Sequence, residues 1–368
     1  MSLLNEYLKE KHFTWKYTSQ RMIPRSFLSI AAQCCSSESR KRIPGKELRD
    51  LNETTKELQR NLIKNTTLTE RVCSLCSNSH SFTYCMAVEN VLGITIPERA
   101  NYQRVLTEEI KRVASHLFNT AIQAHIIGFK SLFMHVMEVR EMMQDLKETV
   151  YGNRMNLAAN CIGGVKYKLD DAMVSYITGV IDKVEPAVEE IREIYAANSM
   201  VLTRTRGLGI LPKEDAIRLG VVGPVARGSV IARDVRKDSP YAAYPKLDFN
   251  IIVDNGCCVH TRTMLRLHEI FESFKMIRQI CRDLPDGPIV TPMRQISSAE
   301  AVARSEAPRG EVFYYIRTNG TDMPARLKWR VPSYMNWEAL GVMMRDCNVA
   351  DVALITNTID PCVSCTER

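Results

Sequence analysis

The sequence predicts a mainly α protein with a small α+β part, and three observations lead to this fold class. In several stretches between residues 101 and 281, apolar residues recur at intervals of three or four, as amphipathic helices require. One β-branched and aromatic run, "GEVFYYIRTNG", ends in Asn319 and Gly320, a strong hairpin signal. With 45% hydrophobic and 25% charged residues, the 368-residue chain can bury a large core in one or two domains.

The first sixty residues differ from the rest of the chain. They are rich in Lys, Arg and Ser, as in "SRKRIPGKELR", and their periodicity is weak. We therefore predict an atypical polar N-terminal region over residues 1–60 and a single domain over residues 61–368. The polar start lacks the apolar core of a secretory signal, and no apolar run is long and uncharged enough to span a bilayer. We expect a cytoplasmic protein.

The first half of the domain contains the clearest helical patterns. From Asn101 to Val150 the apolar positions predict two long helices that break near Gly128. The glycine-rich segment "GNRMNLAANCIGGV" then predicts a structured loop. Helix resumes over residues 172–197, with Asp170 or Asp171 as its cap, and Pro186 is expected to kink or interrupt it.

The second half alternates between short helices and irregular chain. "LPKEDAIRLG" predicts a short helix with Pro212 near its start and Gly220 past its end. Residues 221–259 are rich in Gly, Pro and Asp and have no clear period, so we expect an ordered, irregular segment. A long helix follows from Arg262 to about Cys281, before the strand run that ends at Gly320.

The chain is moderately basic, with a net charge of +7 and twelve cysteines. No recognised nucleic-acid motif accompanies the charge, so we expect no nucleic-acid partner and attribute the charge mainly to the Lys/Arg-rich N-terminal third. Cytoplasmic thiols are kept reduced, so each cysteine should be buried packing, a metal ligand or a catalytic thiol. Their spacing is therefore informative.

Two C-x-x-C pairs lie near opposite ends of the domain. "ERVCSLCSNSH" supplies Cys73, Cys76 and His80, and "DPCVSC" supplies Cys362 and Cys365. Such spacing lets one turn direct two sulfurs at one soft metal ion, and two pairs complete a four-sulfur site. From the pairs alone, structural zinc, a redox pair, incidental packing and a catalytic metal all remain open. The long separation of the pairs indicates a site in the core rather than a small zinc knuckle.

The surrounding residues resemble a known family. "RVCSLCSNSH" and "DPCVSCTER" resemble the paired signature of [NiFe]-hydrogenase large subunits, R-x-C-G-x-C-x-x-x-H and D-P-C-x-x-C-x-x-H/R. "ARSEAPRGEVFYYIRTNG" resembles the A-P-R-G segment of the same family. Arg368 in place of the terminal histidine points to its membrane-bound, energy-converting branch, group 4 of the Ech or CO-induced type. That branch is related to the 49 kDa subunit of complex I, which lacks the four cysteines.

The resemblance implies a helical-bundle core of the hydrogenase large-subunit type and a nickel-iron centre. In the family all four cysteines bind nickel, and the second cysteine of each motif also bridges to an iron that carries CO and cyanide. Cys73, Cys76, Cys362 and Cys365 match these positions, so Cys76 and Cys365 would be the bridges. Nickel in polarisable thiolates can change oxidation state, and a terminal thiolate can accept a proton when H2 is split.

The resemblance also assigns roles to residues around the cysteines. Cys362 matches the proton-accepting cysteine, and Arg309 of "APRGE" matches an arginine over the nickel that is the alternative base. Asp360 would pair with that arginine, and His80 would lie beside a bridging sulfur. Taken alone, Arg309 would be an ordinary salt-bridged arginine, Asp360 a turn residue and His80 a core histidine.

The sequence departs from the family at two places. Ser74 replaces a glycine, a mild change if its φ is negative and a strained one if not. Residues 1–60 lack the expected G-P-x-H-P and H-R-G-x-E segments, whose glutamate carries protons away from the centre. Glu53 is the nearest match for that glutamate and Glu47 competes with it, although either residue alone would be an ordinary surface glutamate.

The resemblance predicts the catalytic subunit of a ferredoxin-linked hydrogenase, which interconverts H2 with protons and electrons. The implied partners are a small subunit with a [4Fe–4S] cluster, ferredoxin-type electron carriers and integral membrane antiporter-like subunits that move H+ or Na+. The chain would lie peripherally on the cytoplasmic face of the cell membrane. The alternative is a non-catalytic complex I-like coupling subunit whose cysteines hold structural zinc or no metal.

Overall fold

The computed structural model describes residues 61–366, and the structural statements below refer to these residues. Helices dominate, and four of them have more than twenty residues. The first half contains α1 (Leu62–Glu70), α2 (Ser77–Leu92), α3 (Glu98–Ile127), α4 (Lys130–Tyr151), the short strands β1 (Asn160–Cys161) and β2 (Gly164–Val165), and α5 (Asp171–Ala197).

The second half has shorter elements around one long helix and a sheet. Its helices are α6 (Ser199–Thr205), α7 (Lys213–Leu219), α8 (Pro224–Arg227), α9 (Val235–Asp238), α10 (Val259–Asp283), α11 (Pro332–Asn336), α12 (Leu340–Met343), α13 (Val352–Thr358) and α14 (Val363–Thr366), and its strands are β3 (Glu300–Ala307), β4 (Gly310–Thr318) and β5 (Pro324–Arg330).

The long helices form a bundle in which α3 packs against α4 and α10, and α5 packs against the same two helices. The predicted break between α3 and α4 is confirmed at Gly128, whose φ of 94° stops the first helix. Asp170 caps α5, with its Oδ1 accepting the Met173 N–H at 2.8 Å. Pro186 does not interrupt α5, because the buried face from Ile177 to Tyr195 outweighs the lost backbone hydrogen bond.

The other helix predictions are also confirmed, with small shifts in their bounds. α7 ends at Gly220 in the left-handed conformation, and α10 is slightly longer at both ends than the sequence predicts. The expected irregular segment between them contains only α8, α9 and one 3₁₀ turn, Tyr244–Lys246. Among the described residues, none of the helices combines the length and apolar composition that crossing a membrane requires.

The sheet is antiparallel with the order β3-β4-β5. The sequence predicted the hairpin between β4 and β5 but not β3, whose charged residues alternate with small ones. Ala307 pairs with Gly310, so the β3–β4 turn consists of Pro308 and Arg309 alone. One face of the sheet packs on α2. The β3–β4 turn therefore lies near the first C-x-x-C pair, because β3 and β4 pack on α2, which follows that pair.

Candidate metal centre

The four predicted cysteine ligands come from two chain segments that meet in the core. Cys73 lies in the loop between α1 and α2, and Cys76 is the N-cap residue immediately before α2. Cys362 precedes α14, and Cys365 lies within it. Cys73, Cys76 and Cys365 are buried, and Cys362 is half-buried. The predicted joining of the two motifs is thus present in the fold.

The sulfur atoms form a compact group. The Sγ atoms of Cys73, Cys362 and Cys365 lie within 4.8 Å of one another, and those of Cys73 and Cys362 are 3.2 Å apart. Cys76 is not in this group of three, but its backbone N–H donates to Cys73 Sγ at 3.3 Å. Its own sulfur accepts a hydrogen bond from Arg309 Nη1 at 2.9 Å, which accounts for its position at the edge of the group.

Arg309 lies over the sulfurs because of the tight β3–β4 turn. Its guanidinium donates from Nε to the carbonyl of Asp360 (2.7 Å) and from Nη2 to Asp360 Oδ1 (2.8 Å). Its Nη1, which also donates to Cys76 Sγ, lies 3.4 Å from Ser115 Oγ. The predicted Arg309–Asp360 pair is therefore present, with both side chains buried. All three guanidinium nitrogens donate hydrogen bonds, so the orientation of the group is fixed.

A close contact between two backbones holds this turn. Gly223 has a φ of 68°, and a Cβ there would lie 2.4 Å from the carbonyl oxygen of Arg309. A Cβ on Gly310 would lie 2.8 Å from the Gly223 amide nitrogen. Only glycine allows this approach. The sequence showed the glycines of "GVVGPVARG" but not their purpose, which is to seat the Arg309 turn.

Asp360 has a left-handed backbone, with φ of 51°, immediately before Pro361. Aspartate tolerates this conformation better than most residues, and the following proline excludes helix at this position. Its N–H donates to Asn357 O at 3.0 Å. Its Oδ2 is buried and has no hydrogen-bond partner among residues 61–366. One carboxylate oxygen thus fixes Arg309 and the other is left for a group inside the site.

His80 lies in the first turn of α2 and is fully buried. Its Nε2 is 3.6 Å from Cys365 Sγ, and its Nδ1 is 2.9 Å from the Tyr314 hydroxyl. If the tyrosine donates to Nδ1, the proton on Nε2 points at the sulfur. Sequence reasoning found His80 but missed Tyr314, although the alternation in β4 does indicate that Tyr314 shares the buried face with Val312 and Ile316.

Burial and mutual contact separate the pKa values of the four thiols. Hydrogen bonds from Cys362, Cys365 and Cys76 hold the pKa of Cys73 well below its usual range. The hydrogen bonds with Cys73 and with Cys362 raise the pKa values of Cys76 and Cys365, respectively. For Cys362, the hydrogen bond with Cys365 lowers the pKa, but contact with Cys73 and burial raise it to about 12. Without a metal, the group favours one thiolate shared among three thiols.

This donor set fits a soft metal centre. The clustered ligand atoms of Cys73, Cys362 and Cys365 are all sulfurs, and soft thiolates select nickel, iron, copper(I) or zinc over magnesium and calcium. A bound metal would displace the thiol protons that the sulfurs now share. Arg309 supplies a positive charge against the resulting thiolates, and the unpaired Asp360 Oδ2 gives a second polar atom in the site.

The C-terminal segment is also held by protein contacts. The Cys362 N–H donates to Ser333 Oγ at 3.0 Å, and Trp337 Nε1 donates to Thr366 Oγ1 at 2.7 Å. The order of this segment therefore does not depend on a bound metal alone. These contacts with α11 and the residue after it position Cys365 without one, because they hold both sides of its short helix.

Two predictions about unusual residues have different outcomes. Ser74 is not among the non-glycine residues with positive φ, so its replacement of glycine causes no strain. Its carbonyl oxygen accepts a hydrogen bond from Lys111 Nζ at 3.2 Å, a contact that the sequence did not predict. Glu53 and Glu47 lie outside the described residues, as does Arg368.

Comparison with known proteins agrees with this geometry. The profile of the family described as "Respiratory-chain NADH dehydrogenase, 49 Kd subunit" matches residues 127–300 and 289–368. The profile of the family described as "Nickel-dependent hydrogenase" matches residues 58–121, which include the first C-x-x-C pair. The two profiles together therefore cover most of the domain.

Individual relatives belong to both groups. The chain is 56% identical over 312 residues to the carbon monoxide-induced hydrogenase of Rhodospirillum rubrum, covering 84% of this chain and 86% of that protein. It is 33% identical to the membrane-bound hydrogenase alpha subunit of Pyrococcus furiosus, covering 84% and 77%. It is 35% identical to an NADH-quinone oxidoreductase subunit of Deinococcus radiodurans, covering 83% of each chain.

Proposed function

Since the chain belongs to the family that contains nickel-dependent hydrogenases and the 49 Kd subunit of respiratory NADH dehydrogenase, we propose that it is the catalytic subunit of a [NiFe]-hydrogenase. The reaction is the reversible oxidation of H2 to two protons and two electrons. The observation that carries the proposal is the meeting of Cys73 with Cys362 and Cys365 beneath Arg309.

Cys73, Cys76, Cys362 and Cys365 would hold a nickel-iron centre, with CO and cyanide as further ligands of the iron. When bound, the centre would supply a redox-active metal pair for the oxidation of H2 to two protons and two electrons. The contacts of the sulfurs support a division of roles between the two positions of each motif. Cys76 accepts a hydrogen bond from Arg309 and Cys365 lies 3.6 Å from His80 Nε2, whereas Cys73 and Cys362 contact each other.

The proton-accepting group is best assigned to Cys362. It is the least buried of the four thiols, and its sulfur contacts only other sulfurs among the described hydrogen bonds. Arg309 is less suited to this role, because all three of its nitrogens already donate hydrogen bonds. Arg309 would instead orient its charge toward Cys76 and the substrate position, and Asp360 would position Arg309.

The electrons must leave through another polypeptide. Among residues 61–366, only one group of three or more His, Cys, Asp or Glu donors has metal-site geometry. The names of the relatives describe several of them as subunits of larger enzymes. We propose a small subunit with a [4Fe–4S] cluster, ferredoxin-type carriers and antiporter-like membrane subunits as partners, on the cytoplasmic face of the membrane. Glu53 is kept as the candidate for the proton-transfer glutamate.

Metal analysis of the anaerobically purified complex tests the proposal. Nickel and iron in equal amounts, with infrared bands of bound CO and cyanide, are expected. Cys365→Ser should lose the nickel and lower H2 oxidation by about 1000-fold, roughly 4 kcal/mol in the barrier. Cys347→Ser, which changes a half-buried cysteine outside both motifs, is the matched control. Zinc as the sole metal would instead support the complex I-like coupling subunit.

A further inference from the structure

A row of buried polar side chains lines the contact between α3 and α4. Arg140, Gln144 and Lys147 lie on the face of α4 that meets α3, where Lys111 is their counterpart. All four are at most 7% exposed. We call these four residues, together with Met155 in the loop after α4, the α3–α4 seam.

Lys111 forms the inner end of the seam. Its Nζ donates to the carbonyl oxygens of Ser74 (3.2 Å) and Met155 (2.7 Å), so two of its three hydrogens have acceptors among the described residues. Ser74 lies between Cys73 and Cys76, which brings the amine next to the loop that carries the first sulfur pair. No carboxylate of the described residues forms an ion pair with Lys111.

Lys147 is the second buried amine of the seam, and it has fewer polar partners than Lys111. It is 2% exposed, yet it forms no hydrogen bond or ion pair with the described residues. Gln144 Oε1 and Arg140 Nε beside it are also buried, and neither atom has a hydrogen-bond partner in the part of the chain that the structure describes. Buried polar groups that lack protein partners are usually satisfied by internal water. The seam therefore has the composition of a hydrated passage.

The outer end of the seam reaches the surface at Arg154. This half-exposed arginine forms ion pairs with three carboxylates of α4, those of Glu141, Asp145 and Glu148. These carboxylates can exchange protons with bulk water. The order along the seam is thus the Ser74 loop, Lys111, Lys147 and a cluster of surface carboxylates.

We propose that the α3–α4 seam is a proton path between the thiolate centre and solvent, with Lys111 and Lys147 as its carriers. This inference rests on the proposed hydrogenase function. In H2 oxidation, the neutral amine of Lys111 accepts a proton released at the centre and becomes an ammonium. It returns to the neutral amine when the proton passes through water to Lys147, which releases it at the surface. The two electrons leave separately through the partner subunit.

The electrostatics of the two amines suit this role. Burial lowers the pKa of Lys111 to about 8, although Cys76, Cys73, Glu70 and Glu108 oppose the shift. Burial and the positive charges of Lys111, Arg140 and Arg154 lower the pKa of Lys147 to about 6, and the charge of Glu141 opposes this shift. Both amines can therefore gain and lose a proton near neutral pH, which an exposed lysine cannot do.

Two substitutions of Lys147 separate proton transfer from charge. Lys147→Met removes the carrier, and Lys147→Arg keeps a positive charge that is not released near neutral pH. Under D2 in ordinary water, both variants of the complete complex should form HD and H2 about 100-fold more slowly than the wild type. Their nickel and iron contents and their CO and cyanide bands should be unchanged. Lys130→Met, an exposed lysine on the same helix, should exchange at the wild-type rate.

A second readout does not depend on the metal. In protein labelled with 15N-lysine, the Nζ resonance of Lys147 is the one that is missing from the spectrum of Lys147→Met. This resonance should titrate at a much lower pH than the resonances of the exposed lysines. A wild-type exchange rate in Lys147→Arg, or a Lys147 titration like that of exposed lysines, would overturn the proton path alone. Absence of nickel, iron and the infrared bands from the wild type would overturn the proposed function, and the proton path with it.

Discussion

Two rows of polar residues on α3, offset by one position, show opposite ways of burying charge. Glu108, Lys111 and Ser115 face the thiols, and we call them the thiol-side row. Glu109, Arg112 and His116 face α10 and the irregular segment, and we call them the network row. The equal spacing of three and four residues places each row on one face of the helix.

The network row is paired. Glu109 accepts hydrogen bonds from Tyr244, Ser273 and Arg112, and each carboxylate of the network has an arginine within 3.2 Å. We call this set the buried ion network; it consists of Glu109, Arg112, Arg227, Asp234, Arg236, Glu269 and Glu306. Although burial opposes it, Arg112 and Arg236 keep the pKa of Glu109 below its usual range.

The residues of the thiol-side row do not have such oppositely charged partners among the described residues. Glu108 accepts hydrogen bonds from Asn78 and Ser79, but burial raises its pKa. Lys111 has no carboxylate partner among the described residues, and Ser115 contributes only a long hydrogen bond to Arg309. Neighbouring residues of one helix thus meet two environments. Paired charges fix the structure, whereas unpaired ones are available for a bound metal and for protons.

The largest expected effect is on the network. Arg227 bridges Glu269 and Glu306 at 2.8 Å each, and Arg227→Met would leave both carboxylates buried without it. We expect the free energy of unfolding to fall by about 3 to 5 kcal/mol. Urea unfolding measures this change. Arg278→Met, which breaks a half-exposed pair with Glu185, should cost no more than about 1 kcal/mol. An equal fall in the free energy of unfolding in both variants would mean that the buried ion network contributes no more to stability than a half-exposed ion pair.

The second effect is on activity and belongs to the thiol side. Arg309→Lys keeps one charge but loses the fork that joins Asp360 and Cys76. H2 oxidation should fall by about 10- to 100-fold with nickel and iron retained. Activity assays with metal analysis test this. Arg304→Lys, on the exposed face of β3, should match the wild type. Unchanged activity in Arg309→Lys would remove the arginine from the proposed mechanism.

Stability should also depend on pH through the seam. Since Lys147 is neutral in the folded protein down to about pH 6 but charged when unfolded, wild-type stability rises as pH increases toward 10. Lys147→Met should therefore be more stable than the wild type at neutral pH. This advantage should shrink by about 1.4 kcal/mol per pH unit above neutrality. Urea unfolding at several pH values measures it, with Lys130→Met as the control. A constant difference would mean that Lys147 is charged in the folded protein.

The sequence predicted the thiol side much better than the network. The two C-x-x-C pairs pointed to the four cysteines, and the family resemblance pointed to Arg309, Asp360 and His80; the structure brings these side chains together. The apolar stripe of α3 also predicted its core face correctly, since Leu106, Ile110 and Val113 are fully buried. The sequence analysis did not identify Glu109 and Arg112 as buried residues, because charged residues are seldom fully buried without partners. Apart from their contact with each other, their partners lie far along the chain, between Arg236 and Glu306, so no local pattern could reveal the network.

The smallest effect concerns Tyr314, which orients His80 against Cys365. Tyr314→Phe keeps the ring packed between His80 and Trp329 but removes the hydroxyl 2.9 Å from His80 Nδ1. The free energy of unfolding should fall by about 1 kcal/mol. Because His80 would then lose its fixed orientation at the sulfur, the infrared bands of the centre should shift. Tyr315→Phe, one residue along β4 with its hydroxyl on exposed Glu300, is the matched control and should leave the bands in place. A shift in both variants would mean that strand packing, and not the His80 contact, governs the bands.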